Sequence, residues 1–229
     1  ALSAIPEPHM ETAEEKAARK AGNVKKDPHG PMSFRHFVLG AIAIFFYVGV
    51  EVGIPNTANL YMSNNPAVGP AIAGTVVGLY WLMMMCGRLL GGAIGGKVSS
   101  KAMLVAVSSL AIVMLLCVMF FQAAWVVPFK GIELPVSMIL MFPCGLMTSV
   151  MWGASFNRAA EGLGKYTPAA SGIFMALVCG GGILPFFQNL LADHTNYLIS
   201  YIVPIAGLLY ILFYALIGSK NVNKDIPTE

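Results

Sequence analysis

The chain has 229 residues, of which 57% are hydrophobic and only 11% are charged, and its formal net charge is +3. A soluble globular domain carries about 25% charged residues, so the composition excludes that class and indicates a protein of the lipid bilayer. The four cysteines lie at wide spacing within apolar segments, which is typical of packing residues and favours neither a disulfide framework nor a metal site.

The two ends of the chain are polar. Residues 1–33 are rich in Lys, Glu, Ala and Pro, show no apolar periodicity and do not resemble a signal peptide. We therefore expect a cytoplasmic linker over residues 1–33, which would make this chain a part of something longer. A short cytoplasmic tail is expected over residues 220–229.

Six apolar stretches lie between these ends, each near the ~20 residues that a bilayer core requires. The predicted spans are His36–Met62, Ala67–Gly95, Ala102–Ala124, Leu134–Ala160, Pro168–Leu191 and Tyr197–Ile217. The longest connection, Trp125–Glu133, is expected to be a loop. The sequence thus predicts an all-α membrane protein, with a bundle of six transmembrane helices over residues 34–219 arranged as a 3+3 inverted repeat.

The basic residues predict the orientation of the bundle. Of the 14 Lys and Arg residues, all but Lys130 fall in the ends and loops on one side of a six-span arrangement. Lys and Arg accumulate on the cytoplasmic side of membrane proteins. We therefore expect a multi-pass protein of the cell (inner) membrane with both termini in the cytoplasm.

The first span contains a carboxylate at its centre, Glu51, within FFYVGVEVGIPNTANLY. Of the 11 Asp and Glu residues, only Glu51 lies deep in a predicted span. An Asp at such a depth costs at least ~2.5 kcal/mol, so a carboxylate there indicates a function. Gly49, Gly53 and Pro55 predict a break in the helix, and irregular backbone at this depth lines a cavity or is buried in protein. The alternative is a buried Glu51 that only forms hydrogen bonds between helices.

The fourth span carries Pro143, Gly145 and Gly153, and is therefore also predicted to be interrupted. Interrupted spans at corresponding positions of two repeats mark the binding site of many transporters. Carboxylate, amide and aromatic groups suit a small neutral sugar, because hydroxyls need donors and acceptors and sugar rings stack on Tyr or Trp. The candidate ligand-binding residues are Tyr47, Glu51, Asn56, Asn59, Trp152, Asn157 and Gln188. For each amide, a hydrogen bond between helices is the alternative.

Charged residues at the span ends suggest a cytoplasmic gate. Arg88 lies in GRLLGGAIGGK, and Arg158 and Glu161 stand three residues apart at the end of the fourth span. Such side chains either extend to the membrane surface or form a charged latch that closes the cytoplasmic side. Both interpretations stay open, with the latch favoured for Arg88.

An enzymatic function is not indicated. The four histidines lie in the tails or at span ends, and the spans contain no Ser/His pair, paired carboxylates or set of metal ligands. We expect neither a cofactor nor a bound metal, and no nucleic acid partner.

Four segments resemble a known family: FFYVGVEVGI, GRLLGG, GLGKYTPAASGIFMALVCGGGILPFFQNLLAD and SYIVPIAGLLYILFYALIGSK. They are similar to the fucose permease branch (fucose/glucose/galactose:proton symporters) of the major facilitator superfamily. The resemblance covers Phe34 to Lys220 and corresponds to the C-terminal six-helix half, while residues 1–33 resemble the central cytoplasmic loop. It implies one half of a major facilitator fold and a missing N-terminal six-helix half as partner.

The resemblance also implies a function: proton-coupled uptake of a hexose or deoxyhexose by alternating access. Glu51 matches the family's glutamate in the seventh helix, which makes it the candidate for proton coupling, although most coupling carboxylates of the family belong to the N-terminal half. Two departures concern the site: Trp152-Gly153 stands where the family has Trp/Phe-Pro, and IPNTANLY follows GVEV. The alternative is a transporter-derived binding or sensor module of the membrane that does not transport.

Overall fold

The computed structural model describes residues 28–121, 125–129, 132–223 and 225–228. By its internal contacts the chain separates into two units, residues 1–30 and residues 31–229, and the fold below is that of the second unit. The expected linker over residues 1–33 and the position of Lys130 lie almost wholly outside the described residues.

Within the described residues, six helices are long and apolar enough to cross a membrane, and each overlaps its predicted span. They are α1 (Arg35–Ser63), α2 (Gly69–Ile94), α3 (Ser100–Phe120), α4 (Val136–Ala160), α5 (Gly164–His194) and α6 (Ile199–Gly218). The predicted class, a helical membrane protein with six spans, is confirmed. The arrangement as a 3+3 inverted repeat stays a prediction.

Helix α1 is the centre of the bundle. It packs against α2, α4, α5 and α6, while α3 packs against α4 and α6 on one side. About three fifths of its most apolar stretch is buried (61%), the largest share among the six spans. A carboxylate on α1 is therefore more enclosed by protein than a carboxylate on another of the six helices would be.

Helix α1 is continuous from Arg35 to Ser63, so the predicted break at Gly49, Gly53 and Pro55 is wrong. Pro55 lacks the N–H that would bond to the carbonyl oxygen of Glu51. The hydroxyl of Tyr80, on α2, donates to that oxygen at 3.2 Å. The proline is tolerated because a buried side chain from the next helix replaces the lost hydrogen bond.

The glycines of α1 serve close packing against α5. A Cβ added at Gly49 would lie 2.6 Å from side-chain atoms of Leu184, and one at Gly53 would lie 2.5 Å from Oε1 of Gln188. On the facing side, Gly180 lies directly against the carbonyl of Phe45. Small residues allow two helix backbones to approach closely in a membrane, so these glycines bring α5 onto α1 without interrupting the helix.

The predicted interruption of the fourth span is confirmed. Helix α4 consists of three segments, Val136–Ile139, Phe142–Thr148 and Met151–Ala160. Pro143 stands in the first turn of the second segment, where a missing N–H does not cost a helical hydrogen bond. Helix α5 is also divided, into a 3-10 turn at Gly164–Tyr166 and the segments Thr167–Leu177 and Gly180–His194.

The expected loop between α3 and α4 contains a short antiparallel hairpin. Strand β1 (Val126–Phe129) pairs with β2 (Ile132–Pro135), and Val127 stands opposite Leu134. Branched and aromatic residues favour strands, and the stretch is too short for another helix. The hairpin leads directly into α4, whose first N–H, that of Val136, bonds to the carbonyl of Trp125 at 2.8 Å.

Candidate functional site

Glu51 forms an ion pair with Arg88 of α2. Nη2 of Arg88 lies 2.7 Å from Oε1 of Glu51. The Glu51 side chain is only 12% exposed, whereas that of Arg88 is 56% exposed. The guanidinium therefore reaches a nearly buried carboxylate from the open side of α2.

The pair neutralises two charges that are each expensive inside a membrane. A single Asp, Lys or Arg at mid-span costs about 2.5–3.5 kcal/mol on insertion scales. Arg88 stands six residues before Ile94, the end of α2, which is about 9 Å at 1.5 Å per residue. Because side chains lean toward the N-terminal end of their helix, the Arg88 side chain points toward mid-span and Glu51.

An aromatic pair lies beside the ion pair. The rings of Tyr47 on α1 and Trp152 on α4 have centroids 6.0 Å apart and planes tilted by 54°. Tyr47 is one turn before Glu51 and fully buried. Its hydroxyl is within electrostatic reach of Glu51 and Arg88, yet it has no well-oriented hydrogen-bond partner among the described residues. Tyr47 therefore belongs to the same polar cluster as the ion pair.

A cavity of about 560 Å³ opens between α2, the start of α3 and the last segment of α4. Small-molecule sites typically have roughly 300–1,000 Å³, so the volume suits a monosaccharide. Its polar lining includes Arg88, Ser100 and Asn157, and Trp152 provides an aromatic face. At Gly92, a wall residue, an added Cβ would meet no atom within 4 Å, so the missing side chain widens the cavity.

The structure thus brings together four of the seven predicted ligand-binding residues. Trp152 and Asn157 line the cavity together with Arg88. Glu51 contacts Arg88, and the ring of Tyr47 lies beside that of Trp152. Sequence reasoning placed Arg88 only at a gate and missed its pairing with Glu51. The one signal for that pairing was the presence of oppositely charged residues, Glu51 and Arg88, on consecutive apolar spans, 37 residues apart.

The remaining three predicted residues lie away from the cavity. Oδ1 of Asn59 accepts from the hydroxyl of Ser63 on the same helix at 2.9 Å. Gln188 is buried against Gly53 between α1 and α5, and its Nε2 has no hydrogen-bond partner among the described residues. Asn56 is half-buried on α1 and does not line the cavity.

Arg158 and Glu161 pair with each other at the end of α4. Nη2 of Arg158 also donates to the carbonyl oxygen of Ser219 at 3.1 Å, and Nε2 of His36 lies 2.8 Å from the carbonyl oxygen of Glu161. These contacts join the ends of α1, α4 and α6 within the bundle. A role of these residues or of Arg88 as a gate stays a prediction.

Among the described residues, no group of three or more His, Cys, Asp or Glu side chains is placed to hold a metal ion. The side chains at and beside the cavity provide one charge pair, an amide, hydroxyls and aromatic faces. Such groups bind and orient a polar neutral molecule.

Comparison with known proteins identifies relatives. The "Glucose/galactose transporter" of Brucella abortus is 32% identical over 190 residues, which cover 82% of this chain and 43% of that protein. The chain therefore spans about half the length of the curated relatives that it matches. No protein-family model matches the chain.

Solved structures show the same fold. Two crystal structures of FucP, one described as the E. coli fucose:proton symporter and one as a major facilitator superfamily transporter in the outward conformation, superpose with TM-scores of 0.73 and 0.72. Both are 18% identical, and the matches cover 92% of this chain and 47% and 46% of those chains. All these relatives are named as transporters, which confirms that the similarity is not to an enzyme. The chain is therefore a membrane protein with the fold of FucP over 92% of its length, and it is similar in sequence to glucose/galactose transporters, of which it spans about half the length.

Proposed function

We propose that this chain is the C-terminal half of a secondary active transporter that takes up a hexose or deoxyhexose together with protons. The observation that carries the proposal is the Glu51–Arg88 ion pair beside the Tyr47–Trp152 aromatic pair, at a cavity of about 560 Å³. The names of the relatives favour glucose, galactose or fucose as the first sugars to test.

The site has the groups that a neutral sugar requires. The Glu51 carboxylate accepts hydrogen bonds from hydroxyls, and the Asn157 amide both donates and accepts. The indole of Trp152 offers an aromatic face to the apolar side of a sugar ring. Specificity arises because a hydroxyl missing from the wrong sugar leaves one of these polar groups unpaired.

Glu51 is the residue proposed to carry the proton. It is nearly buried, lies at the centre of α1 and has a cationic partner, so its charge state affects the energy of the whole site. If sugar binding favours one protonation state of Glu51, proton and sugar binding are coupled reciprocally. A proton gradient can then drive accumulation of the sugar.

The proposed partner is a second six-helix half. Helices α2 and α5 expose glycines, Gly74 and Gly78 on α2 and Gly172 and Gly182 on α5, where an added Cβ would meet no atom within 4 Å. Such surfaces let another helix approach closely. Alternating access then moves one half against the other around a site at their interface.

We further propose the inner membrane as location, with both termini cytoplasmic. Lys97 and Lys101 lie at the α2–α3 connection, and Glu133 and Asp193 lie at the opposite ends of the spans. The excess of Lys and Arg on one side supports the cytoplasmic assignment of that side.

Counterflow tests the proposal. The chain is co-expressed with the N-terminal half of a relative, reconstituted in liposomes loaded with unlabelled glucose, galactose or fucose, and exposed to trace labelled sugar. We expect transient accumulation with both halves and none with this chain alone. Robust counterflow by the chain alone would refute the half-transporter proposal. Sugar binding without counterflow in the assembled pair would favour the alternative, a sensor module of the membrane.

A further inference from the structure

We propose that the C-terminal tail is a releasable strap that holds one wall of the cavity in place. The strap consists of residues 219–223 and 225–228 of the tail. The wall segment that it holds is residues 151–177, from the last part of α4 to the middle of α5. Release of the strap lets the wall segment turn and opens the cavity. The strap acts without a sugar, so this inference goes beyond the proposed function.

A helix break bounds the wall segment at each end. On α4 the helix stops at Thr148 and starts again at Met151, and on α5 it stops at Leu177 and starts again at Gly180. At the second break the next two N–H groups bond to carbonyls three residues back at 3.4 Å each, which is longer than usual. Hinges in proteins lie at such ends of elements, so the wall segment is able to rotate as a unit.

The wall segment forms one side of the cavity. Its lining residues are Trp152, Gly153, Ala154 and Asn157, whereas the opposite lining residues belong to α2 and the start of α3. Rotation of the wall segment about its two breaks therefore changes the width of the cavity. It also changes how far the Asn157 side chain is exposed.

The strap binds the tip of the wall segment, where α4 leads into α5. The N–H of Lys165 donates to the carbonyl oxygen of Thr228 at 3.0 Å, and the hydroxyl of Tyr166 donates to that of Pro227 at 3.4 Å. Gly164 has a φ of +47°, and a Cβ there would collide with the backbone of Thr228. A glycine is required at this position because the backbone is left-handed and because the strap lies directly against it.

The strap also binds α1. Oδ1 of Asn223 accepts a hydrogen bond at 3.0 Å from the N–H of Arg35, the first residue of α1. The N-cap residue, Phe34, makes no side-chain cap, so Asn223 caps this helix from the other end of the chain. Ile226 packs against the hydrophobic core. The strap therefore fastens the tip of the wall segment to the central helix of the bundle.

The contacts of the strap are of a kind that opens and closes. They are single hydrogen bonds at one end of the bundle, and the net contribution of each to stability is modest. The side chains of Val222, Asp225 and Pro227 are exposed. Segments held by a few exposed hydrogen bonds open locally at a small cost in free energy. The strap is therefore suited to repeated release.

Labelling of a cysteine in the cavity measures the position of the wall segment. In the full chain the four native cysteines are replaced by Ala, Asn157→Cys is introduced, and its reaction with a maleimide is followed in lipid nanodiscs. Gly164→Ala should speed labelling roughly tenfold, because the loss of about one net hydrogen bond corresponds to a factor of this size. Gly69→Ala is the matched control, since its φ is +76° and its Cβ would meet no described atom within 4 Å. This control should keep the rate of the parent.

Asn223→Ala tests the second anchor of the strap and should also speed labelling. Asn196→Ala is its matched control, because Oδ1 of Asn196 accepts from the N–H of Ile199 at 2.8 Å at the start of α6. Both variants lose a comparable cap, but only Asn223 belongs to the strap. Equal labelling rates in Asn223→Ala and Asn196→Ala, or in Gly164→Ala and Gly69→Ala, with helices intact by circular dichroism, would overturn the proposal.

A covalent strap provides the reverse test. Lys165→Cys and Thr228→Cys replace two residues whose backbones are joined by a hydrogen bond, and mild oxidation should link them. Asn157→Cys is then the remaining free thiol. The disulfide should slow its labelling below the rate of the parent, and reduction should restore that rate. A pair that does not form the disulfide would contradict the position of the strap, and labelling that oxidation leaves unchanged would contradict its release.

Counterflow with the assembled pair separates this inference from the proposed function. If the labelling rates change as expected while the pair shows no sugar counterflow, the sugar function fails and the strap stands. If the pair transports sugar and the oxidised Lys165→Cys/Thr228→Cys variant transports at the full rate, the sugar function stands and the strap as a moving element fails.

Discussion

The carbonyl oxygen of Glu51 shows how a proline is accommodated at the centre of a membrane protein. Pro55 removes one donor from α1, and the buried hydroxyl of Tyr80 supplies another at 3.2 Å. The same hydroxyl lies 3.2 Å from the hydroxyl of Thr148 on α4. One tyrosine thus fixes the backbone that carries Glu51 and connects it to two further helices.

Tyr80→Phe should therefore destabilise the chain by about 1–3 kcal/mol, because the carbonyl of Glu51 is left buried without a donor. The measurement is the free energy of unfolding in detergent by denaturant titration. Combining Tyr80→Phe with Pro55→Ala tests the cause, since the alanine restores the N–H that bonds to this carbonyl. If the cost of Tyr80→Phe is the same with Ala as with Pro at position 55, the hydroxyl does not replace the missing hydrogen bond.

Helices α1 and α5 pack closely because glycines stand at their contact. Gly49 and Gly53 leave room for Leu184 and Gln188, and Gly180 lies against the backbone of α1. In a membrane, association of helices depends on such close packing rather than on the hydrophobic effect. The pattern of glycines in α1 is therefore a packing device.

Gly49→Ala should lower stability by about 1–3 kcal/mol, the usual cost of inserting atoms into a packed interior. Unfolding of the purified chain measures this, and Gly78→Ala on α2 is the matched control because its Cβ would meet no atom within 4 Å. Shortening the neighbour with Leu184→Ala should recover part of the loss. Equal stabilities for Gly49→Ala and Gly78→Ala would contradict the packing role.

The elements differ in how well the sequence predicts them. The six spans are predictable because apolar length is a local property, and Glu51 is predictable because a single carboxylate stands out in an apolar run. The continuity of α1 is not predictable from the sequence, because it depends on Tyr80, which lies 25 residues after Pro55 in the chain (80 − 55). The hairpin after α3 is short and each of its strands contains a proline, Pro128 and Pro135, which argues against a strand, so the branched residues alone do not distinguish it from a loop.

The candidate site shows the same limit. Trp152 and Asn157 are predictable because they lie on the interrupted helix α4, and Glu51 is predictable because its carboxylate is isolated in an apolar helix, with Tyr47 one turn before it. Asn59 and Gln188 carry the same chemical groups but bond or pack within the bundle. Which amide reaches the cavity is decided by helix rotation, and a single sequence does not contain that information.

In the molecule as a whole, the ends of the spans differ in charge. If both termini are cytoplasmic, a cysteine at Glu133 in β2 faces outward and a cysteine at Lys97 faces the cytoplasm. In intact cells and a cysteine-free background, a membrane-impermeant maleimide should label Glu133→Cys and spare Lys97→Cys. Both should react after the membrane is made permeable, which controls for exposure. Labelling of Lys97→Cys alone in intact cells would contradict the proposed orientation.

If the proposed function is right, transport requires an assembly, because the chain spans about half the length of its relatives. The matched region covers 43% of the Brucella abortus relative and 47% of FucP. The cavity and the Glu51–Arg88 pair lie within this chain. We expect the second half to close the open side of the site and to supply the moving surface that alternating access requires.

Proton-driven sugar uptake by Glu51→Gln tests the central claim most directly. The chain and an N-terminal half are reconstituted together in liposomes, and accumulation of labelled sugar is measured with and without an inward proton gradient, beside counterflow. Because Gln keeps the shape and most hydrogen bonds of Glu but does not titrate, the variant should retain counterflow and lose gradient-driven accumulation. Glu51→Ala should lose both, and Glu133→Gln, outside the spans, should lose neither. If Glu51→Gln accumulates sugar with unchanged pH dependence, Glu51 is a structural residue and the proton-coupling site lies elsewhere.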